Sequence, residues 1–418
     1  MFNKRNILII VVLAVTLTAF AWFYVPPLEE PNVTEIPNTG LSFLKLPTGF
    51  MIDVFADNLE NPRVIAFDPV GNMLVSETKA GRIAMLKDSD GDGKSDKKIT
   101  ILEGLRLPHG LDFYSDSKAT YLYVAETNEV KRFSYDVKSG TIANKKSENI
   151  ATLPADGRHF TRTIAFGPNY RQGSILGGLG LSVDKLYMSV GSSCDVCIED
   201  TWKRAAILES DPAGNYTAEF AGGLRNSVFF TFHPKTKEIW ATEMGRDNLG
   251  DDLPPDEINI IKVAGPEDKY GAKRYGWPFC YGDKVRDKKF NPEKVDRIDI
   301  SSDCSTTTPP IIKIQAHSAP LGLAFVPANK GWPKEWEGDL LVALHGSWNR
   351  SEKVGYNVVR YDLDSGGNVL SQIPEDFISG WLVNGKIYGR PVDLKFDSKG
   401  KLYISDDATG VIYKVNPK

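Results

Sequence analysis

Apolar and polar positions along most of the chain alternate with the period of two that marks half-buried β-strands, and the alternation recurs as a unit. Each unit opens on an apolar-x-Phe segment, passes a turn, and continues into a strand of the type Leu-Tyr-Val-Ser that ends in an acidic or small residue. Six copies are present, at residues 64–67 to 73–77, 110–113 to 122–126, 164–166 to 186–190, 230–232 to 239–243, 323–325 to 340–343 and 392–396 to 402–406. Several continue into a third alternating strand, at residues 82–86, 129–133, 257–261 and 410–415. A lone meander cannot bury both faces of its sheet, whereas a closed ring of meanders can, so the pattern predicts an all-β, six-bladed β-propeller over residues 41–418. The segment 50–55 is predicted to close the ring beside the carboxy-terminal blade. The unequal spacing marks residues 191–224 and 262–321 as insertions expected to cover one face of the ring.

The amino-terminal segment breaks the pattern. Lys4 and Arg5 precede an uncharged apolar run from Ile7 to Val25, followed by Pro26-Pro27. The run approaches the roughly 20 residues that span a bilayer, and Ala19-Phe20-Ala21 offers a small-x-small cleavage site. Residues 1–25 therefore read as a signal peptide or signal anchor, with the anchor favoured, and residues 26–40 as a Pro-rich tether. The basic amino-terminal side places the rest of the chain outside the cytoplasm. The expected location is periplasmic or extracellular, with membrane attachment through residues 7–25 if the segment stays uncleaved.

Charge and cysteine content narrow the classes. With Lys+Arg 50 against Asp+Glu 54 and a formal charge of −4, the chain lacks the basic footprint of a nucleic-acid binder. Its four Cys fall into two local pairs, Cys194 with Cys197 and Cys280 with Cys304. Ile198 rather than His follows Cys197, which excludes c-type haem attachment, and the absence of neighbouring His argues against structural zinc. Export favours two disulfides.

Five His are present, and three stand at corresponding blade ends: His109, His159 and His345. Arg162, Arg225 and Arg390 stand at the starts of blades as well. Equivalent blade ends converge on the mouth of the central channel, and a mouth lined with His and Arg suits a planar polyanion beside a general base.

The segments Gly157-Arg158-His159-Phe160-Thr161-Arg162, Gly223-Leu224-Arg225-Asn226, Ala241-Thr242-Glu243-Met244-Gly245, Asp256-Glu257-Ile258-Asn259 and Tyr275-Gly276-Trp277-Pro278, in this order, resemble the soluble pyrroloquinoline-quinone (PQQ) sugar dehydrogenases, especially their sorbosone dehydrogenase-like branch. The resemblance covers nearly everything after residue 41. It implies oxidation of a sugar hydroxyl or sugar aldehyde, with hydride passing to the quinone and electrons to an external acceptor. It gives His159 the role of general base, places Arg225 and Asn226 on the quinone oxygens and Arg390 on a cofactor carboxylate, and has the carbonyls of Gly245 and Arg246 ligate a calcium ion. His109, Arg162 and His345 complete the set expected to face the cofactor.

Three departures stand out. Arg158 occupies the position where many relatives carry Asp, leaving Asp156 as the candidate to orient His159; His345 replaces a Lys and His109 a Gln. Independently of the channel, Asp88, Asp90, Asp92 and Asp96 surround Gly91 and Gly93 in the manner of a calcium loop, although Ile99 stands where an EF-hand needs its bidentate Glu. Asp256 and Glu257 are candidates for a further structural calcium. Two other functions share this fold: a calcium-dependent lactonase, which would want carboxylates and Asn converging on a channel calcium, and a non-catalytic glycan- or protein-binding propeller.

Overall fold

The computed structural model describes residues 33–34, 40–171, 184–266, 268, 271–292 and 302–418. The apolar run 7–25 and most of the tether lie outside the described residues. Six antiparallel blades form, each built on four strands. Blade 1 comprises Pro62–Phe67, Met73–Glu77, Arg82–Lys87 and Lys97–Leu102; blade 2 comprises Leu111–Ser115, Thr120–Ala125, Glu129–Asp136 and Thr141–Thr152. Blade 3 runs Ile164–Gly167, Lys185–Val190, Ala206–Ser210 and Thr217–Gly222, and blade 4 runs Phe230–Phe232, Ile239–Glu243, Asp256–Ile261 and Ile312–Ile314. Blade 5 is Pro320–Phe325, Leu340–Leu344, Asn357–Tyr361 and Glu375–Ile378.

Blade 6 is assembled from both ends of the chain. Pro391–Phe396, Leu402–Asp406 and Val411–Pro417 are followed outward by Phe50–Ala56, which pairs antiparallel with Val411–Pro417 from Phe50 opposite Pro417 to Ala56 opposite Ile412. The predicted ring closure is present. Val33 bridges Ile387, and the Thr34 N–H donates to the Ile387 carbonyl at 2.6 Å, so this part of the expected tether is docked; Val33 packs against the apolar cluster that contains Trp381.

The repeat has a physical meaning at its polar positions. The second strand of a blade runs antiparallel to the first, so its closing acid returns to the rim where the first strand begins. There Glu77 accepts from the Glu60 amide at 2.7 Å, Glu126 from Arg106 at 2.5 Å, Glu243 from Asn226 at 3.0 Å and Asp406 from Arg390 at 3.0 Å. The Ser one position earlier ties the same strands together: Ser76 accepts from the Val64 amide and Ser405 from the Asp393 amide, both at 3.0 Å. These backbone amides at the blade entries thus find partners on their own blade's second strand.

Latches also run between blades. Asp112 of blade 2 accepts from the Phe166 amide of blade 3, and Asp393 of blade 6 accepts from the Ile65 amide of blade 1, each at 2.8 Å. Across the same seam Arg63 pairs with Asp407 at 2.6 Å.

The two expected insertions differ. Residues 191–224 are only partly a loop, because they contain the third and fourth strands of blade 3; Ala206–Ser210 is buried along its whole length and carries no alternation to reveal it. Residues 262–321 do contain an excursion. It adds Lys273–Arg274 in parallel to the edge of blade 3, forms the hairpin Cys280–Tyr281 with Val285–Arg286, and returns to supply the outer strand of blade 4. Both Cys pairs are disulfides, and no free Cys remains.

Candidate active site

His159 lies on the segment that leads into blade 3, packed against Gly191 at the end of that blade's second strand. A Cβ added to Gly191 would stand 2.5 Å from Asn226 Oδ1 and 2.7 Å from His159 Cβ, so glycine is what lets the two side chains share one rim. His159 Nδ1 lies 2.9 Å from Ser192 O and 3.0 Å from Ser192 Oγ. A carbonyl only accepts, so Nδ1 carries the proton and Nε2 keeps its lone pair. Burial, then Arg225 and Arg158, hold the imidazole well below its usual range, and it is neutral at neutral pH.

Asp156 does not orient it. That carboxylate pairs at 2.9 Å with Arg204, which reaches over from residues 191–205, and Ser192 takes the orienting place. Arg158, the departure beside it, pairs with Asp247 at 3.2 Å. Asp247 also meets Arg225 Nη2 at 3.3 Å and accepts from Asn349 Nδ2 at 2.9 Å. Arg225 is further fixed by Asp195, whose carboxylate stands 2.8 Å from Nη2 and whose carbonyl accepts from Nε at 2.9 Å. Asp195 sits inside the Cys194–Cys197 disulfide loop, and its carbonyl also accepts from the Trp277 indole at 3.2 Å. One loop therefore touches both sides of the site: Ser192 precedes the disulfide and holds the histidine, while Asp195 lies within it and holds the arginine.

On the other side of the mouth, Arg390 donates to the carbonyls of His345 and Gly346, each at 3.1 Å. His345 Nε2 faces Asp407 Oδ1 at 2.8 Å. His109 is fully buried, with Nδ1 3.3 Å from Arg162 O and the ring edge-on to Phe229. Arg162 is also fully buried, and it donates to the carbonyls of His159, Thr161 and Pro154. The sequence places Arg162 toward the ligand; the structure turns it to brace the segment that carries His159. Among the described residues, Arg63 Nε is buried without a partner, and an orphan guanidinium N–H among cationic side chains suits an acceptor-rich anion; His109 Nε2 is unpartnered too, but with Nδ1 facing the Arg162 carbonyl it holds a lone pair and is no donor.

Below Arg225 three carboxylates lie buried. Glu243 accepts from the Asn226 amide and from Ser227 Oγ, Asp256 from the amides of Gly245 and Ala319, and Glu257 from Asn259 Nδ2 and the Gly282 amide. Burial pushes Glu243 up to about 8 and Asp256 up to about 7, with the charge of Glu257 adding to both. A cavity of about 30 Å³, lined by Glu243, Gly245, Arg246 and Glu257 among others, has room for one water-sized group. This donor set suits a hard divalent cation. In the exposed loop, Asp88, Asp90 and Asp92 bring carboxylate oxygens within 4.8 Å of one another. Asp96 stands apart from that group and caps the turn, accepting from Ser89 N at 3.1 Å and Ser89 Oγ at 3.0 Å.

The model of the TrAA12-like family matches residues 44–418. The chain belongs to this family. A TrAA12-like chain of this length resembles an uncharacterized protein of Borreliella burgdorferi, at 31% identity over 92% of this chain and 93% of the relative. It also resembles a pyrroloquinoline quinone-dependent sugar dehydrogenase of Hypocrea jecorina, at 25% identity over 87% of each. A pyrroloquinoline quinone-dependent pyranose dehydrogenase of Coprinopsis cinerea matches at 23% over 88% of this chain, which spans only 54% of that enzyme. Among solved folds, a Trichoderma reesei structure of carbohydrate-active enzymes family AA12 superposes with a TM-score of 0.72 at 22% identity, covering 94% of this chain and 100% of the other.

Sequence reasoning about the TrAA12-like site missed Asp195, Asp247 and Ser192. Asp195 had a signal, being enclosed by two Cys. Asp247 and Ser192 had none, because a loop carboxylate and a loop backbone carbonyl acquire meaning only once the blades bring distant rims together.

Proposed function

We propose that this TrAA12-like protein is an exported PQQ- and calcium-dependent dehydrogenase that oxidises a hydroxyl or hydrated aldehyde of an aldose- or sorbosone-like sugar and passes electrons to an external acceptor. The observation that carries the reading is a neutral His159 with a free Nε2 lone pair, under the influence of two arginines that are themselves locked in place by carboxylates. The names of the Hypocrea and Coprinopsis relatives support the same chemistry. Two disulfides and the apolar run 7–25 support export.

In this reading His159 Nε2 accepts the hydroxyl proton of the sugar as hydride leaves the adjacent carbon. Arg225 and Asn226 hold the quinone oxygens, Arg390 a cofactor carboxylate, and the carbonyls of Gly245 and Arg246, backed by Glu243, Asp256 and Glu257, hold calcium. When bound, the quinone would supply the two-electron acceptor and calcium a positive charge that stabilises the electrons it receives. Because Arg225 and Arg158 are fixed by Asp195 and Asp247 before any ligand enters, little reorganisation is needed on binding. Mixing the purified protein with PQQ and calcium, then following the quinone spectrum and dye reduction across a panel of aldoses, tests this. Sugar-dependent dye reduction is expected; a protein that binds no quinone would refute it.

A further inference from the structure

His345 stands where the mouth is to hold a polyanion, yet it brings no charge there. Its Nε2 faces Asp407 Oδ1 at 2.8 Å, and Asp407 Oδ2 accepts from Arg63 Nη1 at 2.6 Å. The three residues belong to blades 5, 6 and 1. Burial and then Arg390 hold His345 down at about 4 in spite of Asp407. Burial alone would raise Asp407, but His345 and Arg63 keep it well below the ordinary carboxylate range. An ionised carboxylate can only accept, so Nε2 carries the ring proton and Nδ1 is left with a lone pair. The side chain keeps 12% of its surface exposed.

An anchor for carboxylates needs a cation, and Arg390 already supplies one. A neutral imidazole with Nε2 held by a carboxylate, itself backed by an arginine, instead presents a free Nδ1 lone pair that can take up a proton, with Asp407 offsetting part of the cost of the charge. We infer that His345, aligned by Asp407, is a second proton acceptor of the site, and that it serves the half of the cycle in which the reduced cofactor returns its electrons. The inference rests on the proposed function.

The proton balance leaves a second proton to be placed. In the first half the substrate loses a hydride from carbon and a proton from oxygen, and the cofactor gains two electrons and, with the proton handed on by His159, two protons. In the second half two electrons pass singly to a one-electron acceptor such as a ferric haem or a dye, and two O–H bonds must break. His159 takes one proton. At His345 an N–H bond forms at Nδ1 as the other O–H bond breaks, while Nε2–H stays on Asp407.

Two measurements test this. Nitrogen-15 NMR of the cofactor-free protein at pH 7 is expected to show His345 protonated at Nε2 alone, with the proton moving to Nδ1 in Asp407→Asn, whose amide can donate to Nε2. A doubly protonated His345 in the parent would overturn the inference. In the loaded enzyme, stopped-flow re-oxidation by dye is expected to slow about 10²-fold or more in His345→Asn, with added imidazole restoring part of the rate. Quinone affinity, read from tryptophan quenching of the cofactor-free protein, should change less than about tenfold. Re-oxidation at the parent rate with a large loss of affinity would make His345 an anchor and overturn the inference. A parent that takes up no quinone overturns the proposed function as well, which its own binding curve shows before any variant is made.

Discussion

Gly191 lies so close to His159 that a Cβ on it would stand 2.7 Å from His159 Cβ, and 2.5 Å from Asn226 Oδ1 on the other side. A contact below 3 Å cannot be absorbed without movement, so Gly191→Ala should push the histidine and the asparagine apart. Overpacking of this kind costs about 1–3 kcal/mol. Turnover is expected to fall more steeply than the melting temperature; an alanine variant with parent turnover would show that the rim tolerates displacement.

Replacing the base gives a sharper contrast. His159→Gln keeps a hydrogen bond to Ser192 and removes the proton acceptor, so turnover should fall by about 10²- to 10⁴-fold at an unchanged melting temperature and unchanged quinone binding. His109→Gln, at a fully buried site, should instead lower the melting temperature. Parent-like turnover in His159→Gln would move the catalytic role elsewhere.

The pH profile follows from the same residue. Burial and two arginines depress the pKa of His159, so the base stays unprotonated as pH falls through 6.5 and loses function only well below it. The acid limb of kcat/KM is therefore expected below the ordinary histidine range. In Arg158→Gln one of those charges is gone, and the limb should move upward; a limb already at 6.5 in the parent would contradict the electrostatic account.

The Cys194–Cys197 bridge should matter more to the site than to the fold. It spans a sequence separation of only 3, so it restrains little of the unfolded chain, yet it frames Asp195 on Arg225. The double variant Cys194→Ser/Cys197→Ser should keep most of the melting temperature and lose quinone affinity. Thiol titration of the denatured, unreduced parent should find almost no free thiol.

Calcium removal should act through Glu243, Asp256 and Glu257. Chelation is expected to lower the melting temperature of the parent, because the three buried carboxylates lose their counter-ion. Glu243→Gln should shrink that chelator-dependent difference. An unchanged melting curve on chelation would remove calcium from this position.

The fold was legible because the repeat is written in residues that do the same job from blade to blade: apolar residues facing between blades in all six, a Ser or Thr tying two strands in four, and an acid closing the rim in four. Ala206–Ser210 escaped because a strand buried on both faces carries no alternation. Within the site, His159, Arg225 and Asn226 could be picked out as members of ordered motifs, and they do share a rim. Arg162 could not be placed from spacing alone, since whether an arginine turns outward or braces carbonyls depends on which backbone atoms a loop leaves unsatisfied. Ser192 was invisible for the converse reason: its main contribution to His159 is a carbonyl oxygen, which any residue possesses.

The sixth blade draws Phe50–Ala56 from one end of the chain and Val411–Pro417 from the other. During synthesis the early strand has no partner while the five intervening blades are made, because the strand it pairs with is added after them. The ring can therefore close only once Val411–Pro417 has been made. The sixth blade thus stays open until the other five are complete, and the segment that seals it is the one farthest along the chain.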